Sequence, residues 1–276
     1  MKVILADYAG FCFGVTRAME MVRKVVEESK GVPVYTLGPI IHNPQVVDHL
    51  ANMGVRAIND LEGVKPGKLV IRSHGVAPDV IVKARSLNFE IVDATCPFVK
   101  KAQEHAATLV EEGYQLIILG EAEHPEVIGI AGYAKGKGII VEPMGSVPPL
   151  SQKVGVVCQT TQSTQALEWL VDQLIPDAKE LRVFNTICNA THLRQISAIE
   201  VAQKVDVMVV VGGYNSANTR RLAQLCKQTG TPTYHIETAE ELNRKWFEGV
   251  EIVGVSAGAS TPEWLIDEVV QKLKSW

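Results

Sequence analysis

Short apolar runs alternate along the chain with longer stretches in which apolar residues recur at helical spacing. Such runs are typical of buried strands, and the helical spacing is typical of amphipathic helices. The runs predict strands over Val3–Ala6, Val34–Leu37, Lys68–Ile71, Leu116–Leu119, Val154–Val157, Val207–Val211 and Ile252–Val255. The helical spacing predicts helices over Val15–Glu28, Phe98–Glu111, Ser163–Leu174, Leu193–Val205, Ala217–Gln228 and Pro262–Leu273. Because the two kinds of segment alternate, the pattern favours an α/β fold with mostly parallel sheets.

Three cysteines, Cys12, Cys96 and Cys188, lie where a strand gives way to a helix, one in each third of the chain. After each cysteine comes a strand that ends in glycine, then a polar motif and a helix, and then a second strand that ends in another small polar motif. The first motifs begin at Gly38, Gly120 and Gly212, and the second motifs are Arg72–Gly75, Gln159–Gln162 and Ser256–Pro262. This matching order predicts three homologous α/β units, 1–96, 97–190 and 191–276, with the first strand open to pairing into the last unit.

Composition and charge narrow the functional class. The chain has 276 residues, of which 46% are hydrophobic, and a formal net charge of −4 without a basic run. We therefore expect no nucleic-acid partner, since nucleic-acid binding needs a basic surface. The N-terminal apolar run is too short for a signal peptide, and no segment is long enough to span a membrane. We expect a cytoplasmic protein without a membrane partner.

The spacing of the cysteines points to a metal centre. Helix N-termini favour the thiolate form that binds metals, and the absence of a Cys-x-x-Cys pair excludes a zinc ribbon or a thioredoxin motif. Three converging thiolates can hold a [4Fe–4S] cluster and leave one iron open for chemistry. A zinc site with three cysteines and a histidine, or three buried structural cysteines, remain alternatives. For Cys158, at a strand end, and Cys226, inside a helix, packing is the expected role.

Polar side chains at the motifs indicate an anion site. His42, His74 and His124 all follow strands, and Ser216, Asn218 and Ser260 occupy the matching points of the last third. Pro44 and Pro125 mark predicted first helical positions, where free N–H groups favour anions. Together these donors predict a site for phosphate or diphosphate, although each histidine alone fits a cap or a turn. Cationic histidines would bind such an anion less tightly as the pH rises.

Glu126 is the carboxylate in the inner part of these motifs, and Pro125 places it in the first turn of a helix. A lone glutamate beside a metal centre is able to deliver a proton as a general acid, and Thr160 and Thr161 could relay or orient that proton. The alternative for Glu126 is a first-turn acid that complements the helix dipole.

At these residues the chain resembles the family of 4-hydroxy-3-methylbut-2-enyl diphosphate reductases. The similar motifs span nearly the whole chain and are Gly10–Ala18, Gly38–Pro44, Arg72–Gly75, Asp93–Pro97, His124–Glu126, Gln159–Thr161, Thr186–Thr191, Asn215–Asn218 and Ala257–Pro262. Each motif alone is weak, but together they are highly specific for this family.

The resemblance implies a pseudo-threefold trefoil of three α/β units around a central [4Fe–4S] cluster. The family's cluster ligands match Cys12, Cys96 and Cys188, its proton donor matches Glu126, and its threonine pair matches Thr160 and Thr161. Its diphosphate-binding residues match His42, His74, His124, Ser216, Asn218 and Ser260. Ala217 departs from the pattern, because many relatives carry a second serine there, and contact at that point would fall to backbone N–H or water.

By the same resemblance, the substrate is an allylic diphosphate alcohol, whose hydroxyl group is removed with two electrons and two protons. The implied products are isopentenyl and dimethylallyl diphosphate, and the implied electron donor is ferredoxin or flavodoxin. Two rival functions remain at this point. One is an iron–sulfur hydro-lyase acting on a small phosphorylated substrate, which would need no reductant. The other is an iron–sulfur sensor or phosphate-binding module, which would not require Glu126 and the threonine pair.

Overall fold

The computed structural model describes residues 1–276, and its strands form three sheets of four. Every strand pair in these sheets is parallel. The strands are β1 Lys2–Leu5, β2 Val34–Leu37, β3 Val55–Ile58, β4 Lys68–Ile71, β5 Glu90–Asp93, β6 Gln115–Leu119, β7 Ile139–Val141, β8 Lys153–Cys158, β9 Glu180–Phe184, β10 Val207–Val211, β11 Thr233–Ile236 and β12 Ile252–Ala257. The predicted α/β class with parallel sheets is confirmed.

The chain has nine α-helices, of which α1 to α8 lie between strands and α9 follows the last strand; such helical connections suit parallel pairing. They are α1 Phe13–Glu28, α2 Pro44–Asn52, α3 Pro78–Ser86, α4 Pro97–Glu111, α5 Pro125–Tyr133, α6 Thr164–Leu174, α7 Asn189–Ala202, α8 Ala217–Gln228 and α9 Glu263–Lys274. Proline occupies the first position of α2, α3, α4 and α5, where its missing N–H costs no helical hydrogen bond. The predicted helix starts at Pro44 and Pro125 are confirmed. No helix combines the length and apolar character needed to cross a membrane.

All three sheets repeat one strand order. The orders are β1-β12-β10-β11, β5-β4-β2-β3 and β9-β8-β6-β7 when each is read from the strand that precedes a cysteine. In every sheet that strand lies at an edge, the strand before the second polar motif lies beside it, and the strand before the first motif comes next. The sequence repeat is therefore a repeat of topology, while the domain boundaries at residues 96 and 190 stay a prediction.

The chain folds into two compact units. The first comprises Met1–Thr16, Ile41–Asp48 and Asn189–Trp276 and contains the sheet β1-β12-β10-β11. Alternate valines of β10 and β12 pack there against Ile266, Val269 and Leu273 of α9. The second comprises Arg17–Ile40 and His49–Cys188 and contains the other two sheets. Each unit thus buries its own apolar core around the sheets that carry the polar motifs.

Five strands were not predicted by the apolar runs, namely β3, β5, β7, β9 and β11, and all five lie at sheet edges. Their side chains are mixed in burial; Arg56 and Ala57 of β3, for example, are exposed. The central strand β10 is instead buried along its whole length. Half-exposed strands tolerate polar residues and so lose the apolar run that identifies a buried strand.

Candidate active site

The buried carboxyl group of Glu126 is held by Thr160 in the second compact unit. Glu126 is the second residue of α5 and is 1% exposed. The amide of Thr160, just beyond β8, donates to Glu126 Oε1 at 2.6 Å, and its hydroxyl donates to Oε2 at 3.0 Å. Because β6 and β8 are neighbours, the helix that follows β6 and the loop that follows β8 meet at the carboxyl edge of their sheet.

Burial raises the pKa of the Glu126 carboxyl to about 7, although the two hydrogen bonds from Thr160 act in the opposite direction. Desolvation penalises the charged form, whereas donors pointing at the oxygens stabilise it. At neutral pH the group therefore exists in both protonation states. A carboxyl with this pKa is suited to general acid catalysis near neutrality.

His124 is the N-terminal cap of α5. Its Nδ1 accepts a hydrogen bond from the Glu126 amide at 3.2 Å, so the ring proton of the neutral side chain lies on Nε2. The ring of His74 meets the His124 ring edge-on, with centroids 5.4 Å apart and planes at 84°. The expectation that the histidines bind an anion as cations stays a prediction.

Thr161 does not join this carboxyl network. Its hydroxyl accepts a hydrogen bond from Gln159 Nε2 at 3.0 Å, and Gln159 Oε1 in turn accepts one from the Glu121 amide at 3.0 Å. Gln159 is fully buried; the sequence places it in a polar motif, but no separate role was predicted for it. Of the two threonines, Thr160 is therefore the one that contacts Glu126.

The last polar motifs lie together in the first compact unit. The hydroxyl of Ser260 has two acceptors within reach of its single hydrogen, the backbone carbonyl of His42 at 3.3 Å and Ser216 Oγ at 3.4 Å. Ser216 caps α8 by accepting a hydrogen bond from the Thr219 amide at 3.3 Å. At Gly213, an added Cβ would lie 2.5 Å from the His42 carbonyl oxygen, so only glycine allows this approach of the two loops. These contacts bring His42, Ser216 and Ser260 to one place.

Asn218, the second residue of α8, is 5% exposed and has no hydrogen-bond partner within the protein for either its side-chain oxygen or its nitrogen. A buried amide without partners costs free energy, so such groups are rare unless something else satisfies them. The N-terminus of α8 also offers backbone N–H groups to an anion. Asn218 therefore has the features of a residue that binds a polar ligand.

The three repeat cysteines share one backbone arrangement. Each is half-buried and directly precedes a helix, α1, α4 or α7. The amide of Cys12 donates to Ala259 at 3.2 Å, that of Cys96 to Ser73 at 2.9 Å and that of Cys188 to Thr160 at 3.1 Å. Every acceptor is a carbonyl in the second polar motif, next to the cysteine's own strand. The repeat thus extends to individual hydrogen bonds.

Cys158 and Cys226 lie in different surroundings. Both are fully buried, at the end of β8 and within α8. Burial raises the pKa of each thiol to about 12, so both remain protonated at neutral pH. Their expected packing role agrees with these positions, since a metal ligand must be a thiolate.

Comparison with known sequences identifies the family. The sequence profile of the LytB protein family matches residues 3–274. A relative from Geotalea uraniireducens (strain Rf4) is 54% identical over 277 residues, which cover 99% of this chain and 97% of the relative. A relative from Geobacter sulfurreducens (strain ATCC 51573 / DSM 12127 / PCA) is 52% identical over 279 residues, which cover 100% and 98%. Both relatives are named 4-hydroxy-3-methylbut-2-enyl diphosphate reductase.

Solved structures agree with the sequences. The structure of (E)-4-hydroxy-3-methyl-but-2-enyl diphosphate reductase, the terminal enzyme of the non-mevalonate pathway, is 45% identical and matches with a TM-score of 0.72 over 100% of both chains. The reductase structure from Plasmodium falciparum is 30% identical and matches with a TM-score of 0.92 over 99% of this chain and 88% of the other. The chain therefore belongs to the LytB protein family.

Proposed function

We propose that this chain removes the hydroxyl group of 4-hydroxy-3-methylbut-2-enyl diphosphate and forms isopentenyl and dimethylallyl diphosphate. Family membership over nearly the whole chain supports this reaction. In the balanced reaction the C–O bond breaks, two electrons and two protons are taken up, and the oxygen leaves as water. The observation that carries the proposal is the buried Glu126 carboxyl with its pKa of about 7, because the departing oxygen needs a proton donor.

Glu126 and Thr160 are proposed to deliver that proton. At neutral pH part of the Glu126 population is protonated, and the Thr160 hydroxyl lies within hydrogen-bond distance of Oε2. The hydroxyl is able to accept a proton from the carboxyl group while it donates its own to the substrate oxygen. In this scheme Thr160 transfers the proton, while Thr161 orients the loop through its bond with Gln159.

The family depends on iron–sulfur chemistry, and the cysteines of this chain fit such a group. We propose that Cys12, Cys96 and Cys188 hold a [4Fe–4S] cluster, since all three are half-buried at helix starts while the other two thiols are buried and protonated. When bound, such a cluster supplies electrons and a Lewis-acidic iron. A zinc ion in the same place would not carry electrons, so it does not suit an oxidoreductase.

The diphosphate group is proposed to bind to the polar donors of the motifs, namely His42, His74, His124, Ser216, Asn218 and Ser260. The buried amide of Asn218 supports this role, because a phosphate oxygen would satisfy its nitrogen. Hydrogen bonds to a charged group contribute roughly 1.5–3 kcal/mol each, so several of them can hold a dianion on a protein of negative net charge. Ala217 lacks the hydroxyl that a serine would offer, so contact with the diphosphate at this point is proposed to fall to the first amide of α8 or to water.

The electron donor is proposed to be a ferredoxin or flavodoxin, and the location the cytoplasm. An iron–sulfur hydro-lyase is not favoured, since the relatives carry the name of a reductase.

The test is anaerobic reconstitution with iron and sulfide, followed by Mössbauer spectroscopy and incubation with the substrate and a low-potential reductant. We expect both prenyl diphosphates to form only when the reductant is present. Turnover of the alcohol without reductant would indicate a hydro-lyase, and a colourless reconstituted protein would overturn the proposed cofactor.

A further inference from the structure

A buried arginine holds the loop that precedes Cys12. Arg194, in α7, is 4% exposed, and its Nη2 donates to the carbonyl of Gly10 at 2.7 Å. Its Nη1 donates to the Ala190 carbonyl within the same helix at 2.9 Å. Gly10 has a φ of +92°, and an added Cβ would lie 3.0 Å from Ile266 Cδ1, so this position of the loop favours glycine. The guanidinium therefore lies against the backbone two residues before Cys12.

A second arginine makes the equivalent contact in the other compact unit. Arg17, in α1, is half-buried, and its Nη1 donates to the carbonyl of Thr95 at 3.2 Å. Thr95 is 4% exposed and immediately precedes Cys96. In both units, then, a guanidinium binds a backbone carbonyl within two residues of a repeat cysteine, although the two arginines come from different helices.

We propose that Arg194 and Arg17 are positioning residues for the cluster: they fix the loops of Cys12 and Cys96, and their positive charges raise the reduction potential of the bound group. This inference rests on the proposed ligand assignment. A guanidinium stays charged at every physiological pH, and its planar fork is preorganised for carbonyl oxygens. A nearby positive charge stabilises an added electron, and partial burial strengthens the effect by lowering the effective dielectric constant.

Other charges close to Cys96 were weighed against Arg17. The carboxylate of Asp93 lies three residues before Cys96, but it is paired with Lys100 at 2.5 Å, and it also accepts a hydrogen bond from the Thr95 amide. Since these two charges oppose each other at close range, they add little net field. Removal of the Arg17 charge should therefore change the potential.

Substitution by lysine and by glutamine separates charge from shape. Arg194→Gln and Arg17→Gln keep a polar side chain but remove the charge. Arg194→Lys and Arg17→Lys keep the charge but lose the fork. The matched control is Arg85→Gln, in the exposed last turn of α3.

Each variant is reconstituted without oxygen and assayed for iron and sulfide, and its cluster is titrated with dithionite while the spectrum is followed. We expect the glutamine variants to be harder to reduce, by on the order of tenfold in the equilibrium constant, or about 59 mV for one electron. The lysine variants should stay near the wild-type potential, and Arg85→Gln should match it.

The proposal is overturned if glutamine variants that carry full iron have the wild-type reduction potential. It is also overturned if the potential shifts equally in the lysine and glutamine variants, because that result would indicate a structural role alone. Circular dichroism of the apoprotein shows whether Arg194→Gln folds. If it does not, the potentials of Arg17→Gln and Arg17→Lys, at the half-buried arginine, decide the question. Failure of the ligand assignment has a separate signature, because a Cys12→Ser or Cys96→Ser protein would then keep its full cluster whatever the arginine variants do.

Discussion

The carboxyl group of Glu126 accepts hydrogen bonds from both the amide and the hydroxyl of Thr160, at 2.6 and 3.0 Å. Both donors stabilise the charged carboxylate, whereas complete burial stabilises the neutral acid. The resulting pKa of about 7 is a balance between burial and these two bonds. Changing either partner should therefore alter turnover, pH dependence and stability in ways that can be distinguished.

Replacing Glu126 by Gln should abolish most turnover while cluster content and substrate binding persist. The amide keeps the shape of the side chain but has no acidic proton to deliver, and a positioned general acid contributes typically 10²–10⁴-fold. Single-turnover kinetics with pre-reduced enzyme measure the loss directly. Glu123→Gln, at an exposed position just before α5, is the control and should be fully active. Near-normal turnover in Glu126→Gln would remove this residue from the mechanism.

Thr160→Val should move the pH profile of the reaction. The substitution removes one donor to the carboxylate, so the pKa of Glu126 should rise above its wild-type value of about 7. Because the acid acts in its protonated form, the decline of kcat at high pH should shift upward, while the maximum rate falls with the loss of the hydroxyl. A kcat profile from pH 5 to 9 tests this, and an unshifted alkaline limb would contradict it.

Burial of Glu126 should also make stability depend on pH. The pKa is about 7 in the folded protein against an ordinary value of 4.5, so the folded state binds this proton more tightly. The stability that this tighter proton binding contributes is fully present below the pKa of Glu126 in the unfolded chain. It is lost as the pH rises through the pKa of Glu126 in the folded protein. The free energy of unfolding of Glu126→Gln, relative to that of wild type, should therefore rise by roughly 3 kcal/mol at most between pH 4 and pH 8. Urea unfolding of both apoproteins at the two pH values measures the difference, and parallel pH dependences would argue against a buried titrating carboxyl.

Serine substitutions should divide the five cysteines into two groups. Cys12→Ser, Cys96→Ser and Cys188→Ser are each expected to lose the brown colour and the iron of the reconstituted protein, since a hydroxyl is a poor substitute for a thiolate. Cys158→Ser and Cys226→Ser should keep both, because these buried thiols remain protonated. Iron and sulfide analysis with visible absorbance is the measurement. A fully coloured Cys96→Ser protein would contradict the assignment.

Asn218→Ala should weaken substrate binding without destabilising the apoprotein. Its amide is buried without a partner, so removing it relieves a desolvation cost and is expected to leave stability unchanged or raise it by about 1 kcal/mol. KM should rise because the ligand loses a hydrogen-bond partner. Asn243→Ala provides the contrast, since Asn243 accepts a hydrogen bond from the Lys245 amide as a cap, and its loss should lower stability with KM unchanged. A large loss of stability in Asn218→Ala would indicate a structural role instead.

The sequence was sufficient for the central strands and for the repeat. β2, β4 and β10 have the predicted bounds, because strands that are buried over most of their length are mostly apolar. The edge strands were missed for the opposite reason, and α3 was missed because its apolar face is narrow: Ala84 is its buried residue. Patterns read along the chain identify elements through burial, so they fail where burial is partial.

The site was predictable only in part. The repeat placed Cys12, Cys96 and Cys188 at matching positions, and the structure confirms that match in their backbone hydrogen bonds. Contacts between residues far apart in the chain, such as that of Arg194 with Gly10, leave no local signal, since the sequence does not show which distant residues meet. The separation of Thr161 from Thr160 was equally invisible, because it depends on which way each side chain leaves the loop.

One residue, Thr160, serves two partners at once: its amide and hydroxyl hold the carboxyl of Glu126, and its carbonyl holds the amide of Cys188. Any drift of the backbone at this point during evolution would displace both partners together. A substitution that alters the backbone here to change the pKa of Glu126 should therefore also displace Cys188. Compensating substitutions should be sought together, in the segments around residues 126 and 188.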